Sequence, residues 1–220
     1  MTFPRIASLA APLARVRAWR WSAPVLAFAT PCLLLVAFER LAFSPWGSDW
    51  LLLVDVLLFG IAALALFATV VLAMAALVPR WRGDSLRPLA LFALFVAGTV
   101  GGVLASRWVR ADGWQRVAGN GDRVVLAIHA FEAKHGAPPA TLAALVPEFA
   151  ASVPGTGLGS RPGFRYAVRH GEAGHQTWNL WTKLPGIGHF SDLRYLPAAE
   201  VEEWDTVLHR VGAWAVVAND

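Results

Sequence analysis

The stretch PLALFALFVAGTVGGVLASRW, residues 88–108, decides the class of this protein. It carries no charged side chain before Arg107, and it is as long as the roughly 20 helical residues that cross a bilayer. Two further apolar stretches, 22–43 and 50–78, are at least as long. The first of them is the weakest, because Glu39 and Arg40 interrupt it near its end. The sequence therefore predicts three transmembrane helices in the first half of the chain, residues 1–110.

The overall composition agrees with this prediction. Of the 220 residues, 56% are hydrophobic and 15% are charged, whereas an ordinary soluble domain carries about 25% charged residues. Residues 1–110 hold ten arginines and four acidic side chains, so the net charge of +4 originates in the apolar half. Residues 111–220 hold nine basic and eleven acidic side chains. We therefore expect no basic face on the polar half and no nucleic-acid partner.

The arginines also predict orientation, because cytoplasmic loops of membrane proteins are enriched in Lys and Arg. Arginines cluster before the first span and between the second and third spans, at Arg5, Arg15, Arg17, Arg20, Arg80, Arg82 and Arg87. The 44–49 loop has none. Arginine outnumbers lysine 17 to 2, a usage typical of bacteria with GC-rich genomes. We therefore expect a bacterial inner-membrane protein with a cytoplasmic N-terminus and a periplasmic C-terminal half.

Charged and small residues inside the spans carry two further predictions. Arg40 and Asp55 both lie about one helical turn below the outer membrane surface, which favours an intramembrane ion pair over an ion path. The third span has small residues that allow a neighbouring helix to approach closely. This stripe predicts packing against the other two spans or against a second copy of the chain, through Ala97, Gly98, Gly101, Gly102 and Ala105.

The polar half, residues 111–220, begins with glycines that are expected to break the helix leaving the third span: Gly113, Gly119 and Gly121. Asp122 is then a suitable N-cap for an amphipathic helix over 122–135, and Gly136 is a suitable C-cap. A short helix over 142–146, capped by Thr141 and stopped by a proline, is expected to follow.

Alternating apolar and polar residues after position 163 predict β-strands. Strands are expected near 164–169, 178–182, 192–196 and 213–217, whereas 200–211 reads equally as helix or strand. One helix on an antiparallel sheet of three or four strands is an α+β domain. Its predicted core consists of Val125, Ile128, Phe131, Leu142, Leu145, Phe164, Tyr166, Trp178 and Leu180.

The run DRVVLAIHAFEAKHGAPPATLAALVPEFAASVP, residues 122–154, resembles the end of the long helix and the following loop in type IV pilins and type II secretion pseudopilins. In that family a helix ends in an aromatic residue, a few polar residues and Gly. A proline, a Leu-x-x-Leu-Val-Pro helix and a proline-containing loop then lead into the sheet. The matching residues here are Phe131, Gly136, Pro139, Leu142, Leu145, Val146, Pro147 and Pro154. The resemblance implies a pilin-like fold.

Departures from the family limit what the resemblance implies. Pilins have a single N-terminal span with a processing site similar to Gly-Phe-Thr-Leu-x-Glu, whereas this chain has three apolar stretches and no such site. The calcium loop of the major pseudopilin has no clear counterpart, because 186–192 offers only Asp192 as a ligand. The resemblance therefore implies a pilin-like domain on a membrane anchor, as in an accessory of a secretion or pilus-type envelope system, and not a fibre subunit.

Candidate catalytic and metal-binding residues are sparse. Cys32 is the single cysteine and lies in the first span, which excludes Cys-based zinc sites and intrachain disulfides. His129 and Glu132 share a helix face, but His135 points away, so the zinc-protease spacing His-Glu-x-x-His is not formed. We expect no catalytic residue, metal or cofactor. The alternative is a metal-binding sensor or enzyme built on scattered histidines, His170, His175, His189 and His209.

The sequence therefore predicts a protein that acts by protein contact and not as an enzyme. Its partners are expected to be the lipid bilayer and another membrane or periplasmic protein. Trp181 is the candidate contact residue, because it points to the other side of its strand from Trp178 and Leu180. A large indole outside the core often marks a contact surface.

Overall fold

The computed structural model describes residues 10–48, 50–170, 176–185, 191–197 and 206–218. Three α-helices come first: α1 (Ala10–Ala42), α2 (Leu51–Leu77) and α3 (Arg82–His135). Each has a stretch long and apolar enough to cross a membrane. The predicted three long apolar helices are therefore present, and their length and composition are compatible with crossing a membrane.

Two compact units divide the chain. The first comprises Met1–Ala37 and Leu53–Arg107, and the second comprises Phe38–Leu52 and Trp108–Asp220. In the first unit, α2 exposes large apolar side chains, as Leu64 and Phe67 show with exposed fractions of 71% and 69%. The second unit combines the polar half with the end of α1 and the loop that follows it.

The expected break after the third span is wrong, because α3 is one continuous helix of 54 residues. Two of the three glycines instead make room for aromatic rings. A Cβ atom on Gly113 would lie 2.5 Å from Cδ1 of Phe43, and one on Gly121 would lie 2.2 Å from Cζ2 of Trp214. A glycine inside a helix costs about 1 kcal/mol relative to alanine, which the packing of two large rings readily offsets.

Asp122 is consequently a mid-helix residue and not the predicted N-cap. Its Oδ1 accepts a hydrogen bond of 2.7 Å from Nε1 of Trp214. The other end of the helix is as predicted. Gly136 has φ 77°, and its N–H donates to the carbonyl of Glu132 at 2.7 Å, which is the αL type of C-cap.

A short 3₁₀ helix, Leu142–Leu145, follows α3, and Thr141 precedes it without making the predicted side-chain capping bond. The glycine-rich loop after it packs on the 44–47 loop. The N–H of Gly159 donates to the carbonyl of Ser44 at 3.0 Å, and the amide of Asn120 donates to the carbonyl of Thr156 at 3.1 Å. These bonds hold both loops in the second unit.

The sheet has five antiparallel strands instead of the predicted three or four: β1 (Arg165–His170), β2 (Gln176–Lys183), β3 (Ser191–Tyr195), β4 (Val207–Val211) and β5 (Trp214–Ala218), in the order β1-β2-β3-β5-β4. The additional strand, β4, lies in the ambiguous 200–211 stretch, of which 200–205 is outside the described residues. Leu208 in this strand is 59% exposed, so the strand lacks the apolar alternation that sequence reading requires.

The core lies between the second half of α3 and one face of the sheet. All nine predicted core residues belong to it or pack against it. The prediction missed several buried residues of this core. Some lie outside the alternating stretches, and for the others the sequence does not show which side of the element faces the core. They are Phe43, Val124, Leu158, Leu193, Trp214 and Val216.

Candidate functional site

The sheet face that points away from α3, called the distal face here, carries the candidate contact residue. Along β2, Leu180 and Thr182 are almost fully buried on the side facing α3, so Trp181 between them points to the distal face. Trp181 is partly buried there. The structure therefore separates Trp181 from the core aromatic Trp178, as the alternation predicts.

The strand register aligns Trp181 with residues from all five strands. Arg165 of β1 is opposite Trp181, and Trp181 is opposite Arg194 of β3. Arg194 is in turn opposite Ala215 of β5, which pairs with Arg210 of β4. We call this line of residues across the sheet the basic row: Arg165, Trp181, Arg194, Ala215 and Arg210.

Spacing within the basic row follows from sheet geometry. Neighbouring strands lie about 4.8 Å apart, so arginines on every second strand are separated by about 10 Å at their Cα atoms. Arg165 and Arg210 are exposed, and Arg194 is partly buried. One Nη of Arg210 donates to the carbonyl of Leu196 at 3.3 Å, which fixes that side chain near the row.

Two more basic residues share the distal face with the row. Arg169 lies four residues along β1 from Arg165, and Lys183 lies two residues along β2 from Trp181. Residues an even number of positions apart on a strand point to the same face. Asp192, directly opposite Lys183, is only 4% exposed. The register thus places five basic side chains on one face of the described strands, which the near-neutral sum of charges over 111–220 does not reveal.

The predicted ion pair between Arg40 and Asp55 cannot be followed, because the Asp55 side chain lies outside the described residues; Arg40 is exposed. The residue before it, Glu39, has a side chain only 8% exposed and is paired with Arg110. Nε of Arg110 donates to one carboxylate oxygen of Glu39 at 2.8 Å, and an Nη donates to the other at 3.3 Å. This two-pronged geometry is the strong form of an arginine–carboxylate pair.

Small residues of the third span lie against α1. A Cβ atom on Gly98 would lie 2.1 Å from the carbonyl oxygen of Phe28, and one on Gly102 would lie 2.9 Å from the Cα of Cys32. Gly101 faces the ring of Phe28 more loosely, at 3.9 Å. Of the other two predicted packing residues, Ala97 is exposed and Ala105 is partly buried.

Histidines of the polar half are dispersed over the described residues. Nδ1 of His129 lies 2.9 Å from Oε2 of Glu132, and Oε1 of Glu132 accepts a hydrogen bond of 2.8 Å from Nε1 of Trp178. The rings of His135 and Phe131 stack 4.1 Å apart, and His209 lies beside Trp114.

Three histidines of the alternative reading cannot be placed at a site, because the His170 side chain, His175 and His189 lie outside the described residues. In the part of the chain that is described, no three His, Cys, Asp or Glu side chains converge on one point.

Tyr166 is a partly buried phenol at the edge of the core. Its hydroxyl donates to the carbonyl of Pro139 at 2.8 Å. Burial, and secondarily the negative charge of Glu132, raises the pKa of Tyr166 to about 12. A phenol held in its neutral form stabilises packing and is a poor acid or base at neutral pH.

No protein-family model, no curated protein and no solved structure matches this chain. Sequence reasoning found Trp181 from the alternation of β2 but missed the three arginines that share its row. Arg165 and Arg194 each stand between two apolar residues, which is a usable signal for the distal face, whereas Arg210 follows His209. Their alignment in one row depends on strand order and register, which sequence reading did not assign.

Proposed function

We propose that this chain is an inner-membrane protein whose three transmembrane helices anchor a periplasmic, pilin-like α+β domain, and that this domain acts by contact with another protein. The proposal rests on the different character of the two parts of α3. Its first part is apolar enough to cross a membrane, and its last part forms the core with an antiparallel sheet. A long helix joined to such a sheet supports the resemblance to pilins.

Contact is favoured over catalysis by the state of the polar groups in the second unit. The carboxylate of Glu132 already bonds His129 and Trp178, and Asp122 bonds Trp214. These groups connect α3 to the sheet, so their chemistry is engaged in the fold. By contrast, the distal face presents an indole among arginines, and Trp and Arg are the residues that most often dominate the energy of protein interfaces.

The test is site-specific photocrosslinking in intact cells. A photoreactive amino acid at position 181 should form adducts with a protein. The same amino acid at position 126, where Leu126 is 69% exposed on α3, is the matched control and should form fewer adducts. An adduct of twice the mass of the chain would identify a second copy as the partner. Equal labelling from both positions, or none from 181, would contradict the proposal.

A further inference from the structure

We infer that a cavity among the three helices of the first unit binds an acyl chain of an anionic phospholipid of the cytoplasmic leaflet, with Arg87 beside the headgroup. This inference rests on the membrane insertion and orientation in the proposed function and adds a lipid ligand to it. The cavity has a volume of about 510 Å³, and every described residue of its lining is apolar. The lining includes Ala27 of α1, Ala65 and Ala68 of α2, and Pro88, Phe92 and Phe95 of α3.

The dimensions of the cavity suit a hydrocarbon chain. Its lining on α2 runs from Ile61 to Ala68 and its lining on α3 from Pro88 to Phe95, which is about 10 Å of each helix at 1.5 Å per residue. Alanine at 27, 65 and 68 leaves space that a larger side chain would fill. The resulting volume lies in the range of about 300–1,000 Å³ that is typical of small-molecule sites.

The cavity is bounded on the side that is expected to face the periplasm. Phe28 follows the lining residue Ala27, and Gly98 lies three residues beyond Phe95. A Cβ atom on Gly98 would lie 2.1 Å from the carbonyl oxygen of Phe28, so α1 and α3 are in direct contact there. Leu64 in the lining is 71% exposed, so the cavity opens to the surroundings of the helices, which in a membrane are acyl chains.

Other occupants fit this cavity less well. A buried water needs two to four polar partners, and none of the described lining residues offers a polar side chain. An empty cavity would leave its lining without dispersion contacts on one side. A transmembrane helix is about 10–12 Å across with its side chains, whereas Ala65 in the lining is only 5% exposed. A single hydrocarbon chain is thin enough to fill the space beside it.

Arg87 supplies the charge that matches a lipid headgroup. It precedes Pro88 and lies four residues before Leu91, another lining residue, so it shares a side of α3 with the cavity. Long side chains on a helix point towards its N-terminus, which for α3 is the end expected in the cytoplasm. Arg87 is exposed, as is the nearest described carboxylate on the same helix, Asp84. A guanidinium group at this position matches a phosphate by charge and by hydrogen-bond geometry.

The experiment is native mass spectrometry of the full chain in a neutral maltoside detergent. The probe is phosphatidylglycerol with one palmitoyl and one oleoyl chain, and its matched control is phosphatidylcholine with the same chains. We expect binding to saturate at one phosphatidylglycerol per chain. Phosphatidylcholine should bind about threefold more weakly, which is the scale of one exposed ion pair.

Variants assign the lipid to the cavity. Ala68→Phe fills it and should weaken phosphatidylglycerol binding at least about fivefold, since each methylene kept from burial is worth about fourfold. Ala68→Leu should lie between that variant and the wild type. Ala73→Phe, at an exposed position of α2 outside the described lining, is the control and should change binding less than about twofold. Arg87→Gln should bring phosphatidylglycerol binding to the level of phosphatidylcholine. Circular dichroism establishes that each variant is folded.

Three results would overturn the inference: unchanged binding in Ala68→Phe, an equal loss in Ala73→Phe, or a series of bound lipids that does not saturate at one. A dimer of the wild-type chain that Ala68→Phe dissociates would also overturn it, because a second copy would then occupy the cavity. Loss of the inference leaves the proposed function standing if alkaline carbonate retains the chain in cell membranes and position 181 still crosslinks to a protein. Release of the chain by carbonate would instead reject the proposed function.

Discussion

At the scale of single residues, Tyr166 connects the sheet to the segment after α3 through its bond to the carbonyl of Pro139, which is itself fully buried. Replacing Tyr166 with Phe leaves that carbonyl without its donor. Loss of a hydrogen bond of this kind costs about 1 kcal/mol. We therefore expect Tyr166→Phe to lower the free energy of unfolding in urea at neutral pH by about that amount.

The pH dependence of this effect has a defined direction. The pKa of Tyr166 is raised from 10.0 to about 12 in the folded protein, so the unfolded chain loses its proton first as the pH rises. The stability that the neutral phenol contributes is complete below pH 10 and is lost as the pH rises through 12. The difference between wild type and Tyr166→Phe should therefore shrink over this window. A difference that stays constant to pH 12 would contradict the assigned environment.

At the scale of elements, α3 offers a matched pair of glycines two residues apart. A Cβ atom on Gly121 would lie 2.2 Å from Trp214, whereas one on Gly119 would meet nothing within 4 Å. We expect Gly119→Ala to raise the apparent melting temperature, because alanine is favoured in helices by about 0.5–1 kcal/mol. Gly121→Ala should lower it, because the Trp214 ring has to move from its place in the core. Similar shifts for the two variants would contradict the packing of Trp214 on α3.

The same helix shows where sequence reasoning succeeds and where it stops. The end of α3 was predictable because Gly136 marks it locally. The continuity of α3 could not be predicted, because Gly113 and Gly121 leave space for the rings of Phe43 and Trp214, which are distant in sequence. Helix propensity alone predicts that three glycines break the helix, whereas tertiary packing stabilises a continuous helix here.

The candidate site on the sheet also has one part that could be predicted from the sequence and one part that could not. Trp181 could be found from alternation alone, because its neighbours Leu180 and Thr182 are buried on the other side. The basic row could not, because it depends on β5 lying between β3 and β4. Net charge over the polar half pointed away from a basic face, since a sum carries no information about which side of a sheet a residue occupies.

At the scale of the whole molecule, the proposed function requires the polar domain to lie outside the cytoplasm. The three apolar helices carry the membrane assignment, and the arginines of the N-terminal segment and of the 79–87 region carry the orientation. The proposed contact through Trp181 requires this orientation.

The most direct test of this claim is a set of fusions to a reporter enzyme that is active only outside the cytoplasm. Fusions after Gly47 and after Asp220 should be active, because the first outer loop and the polar domain are expected in the periplasm. A fusion after Gly83 should be inactive, because it lies in the arginine-rich 79–87 region, which is expected in the cytoplasm. Activity at Gly83 together with silence at Asp220 would invert the topology and contradict the account.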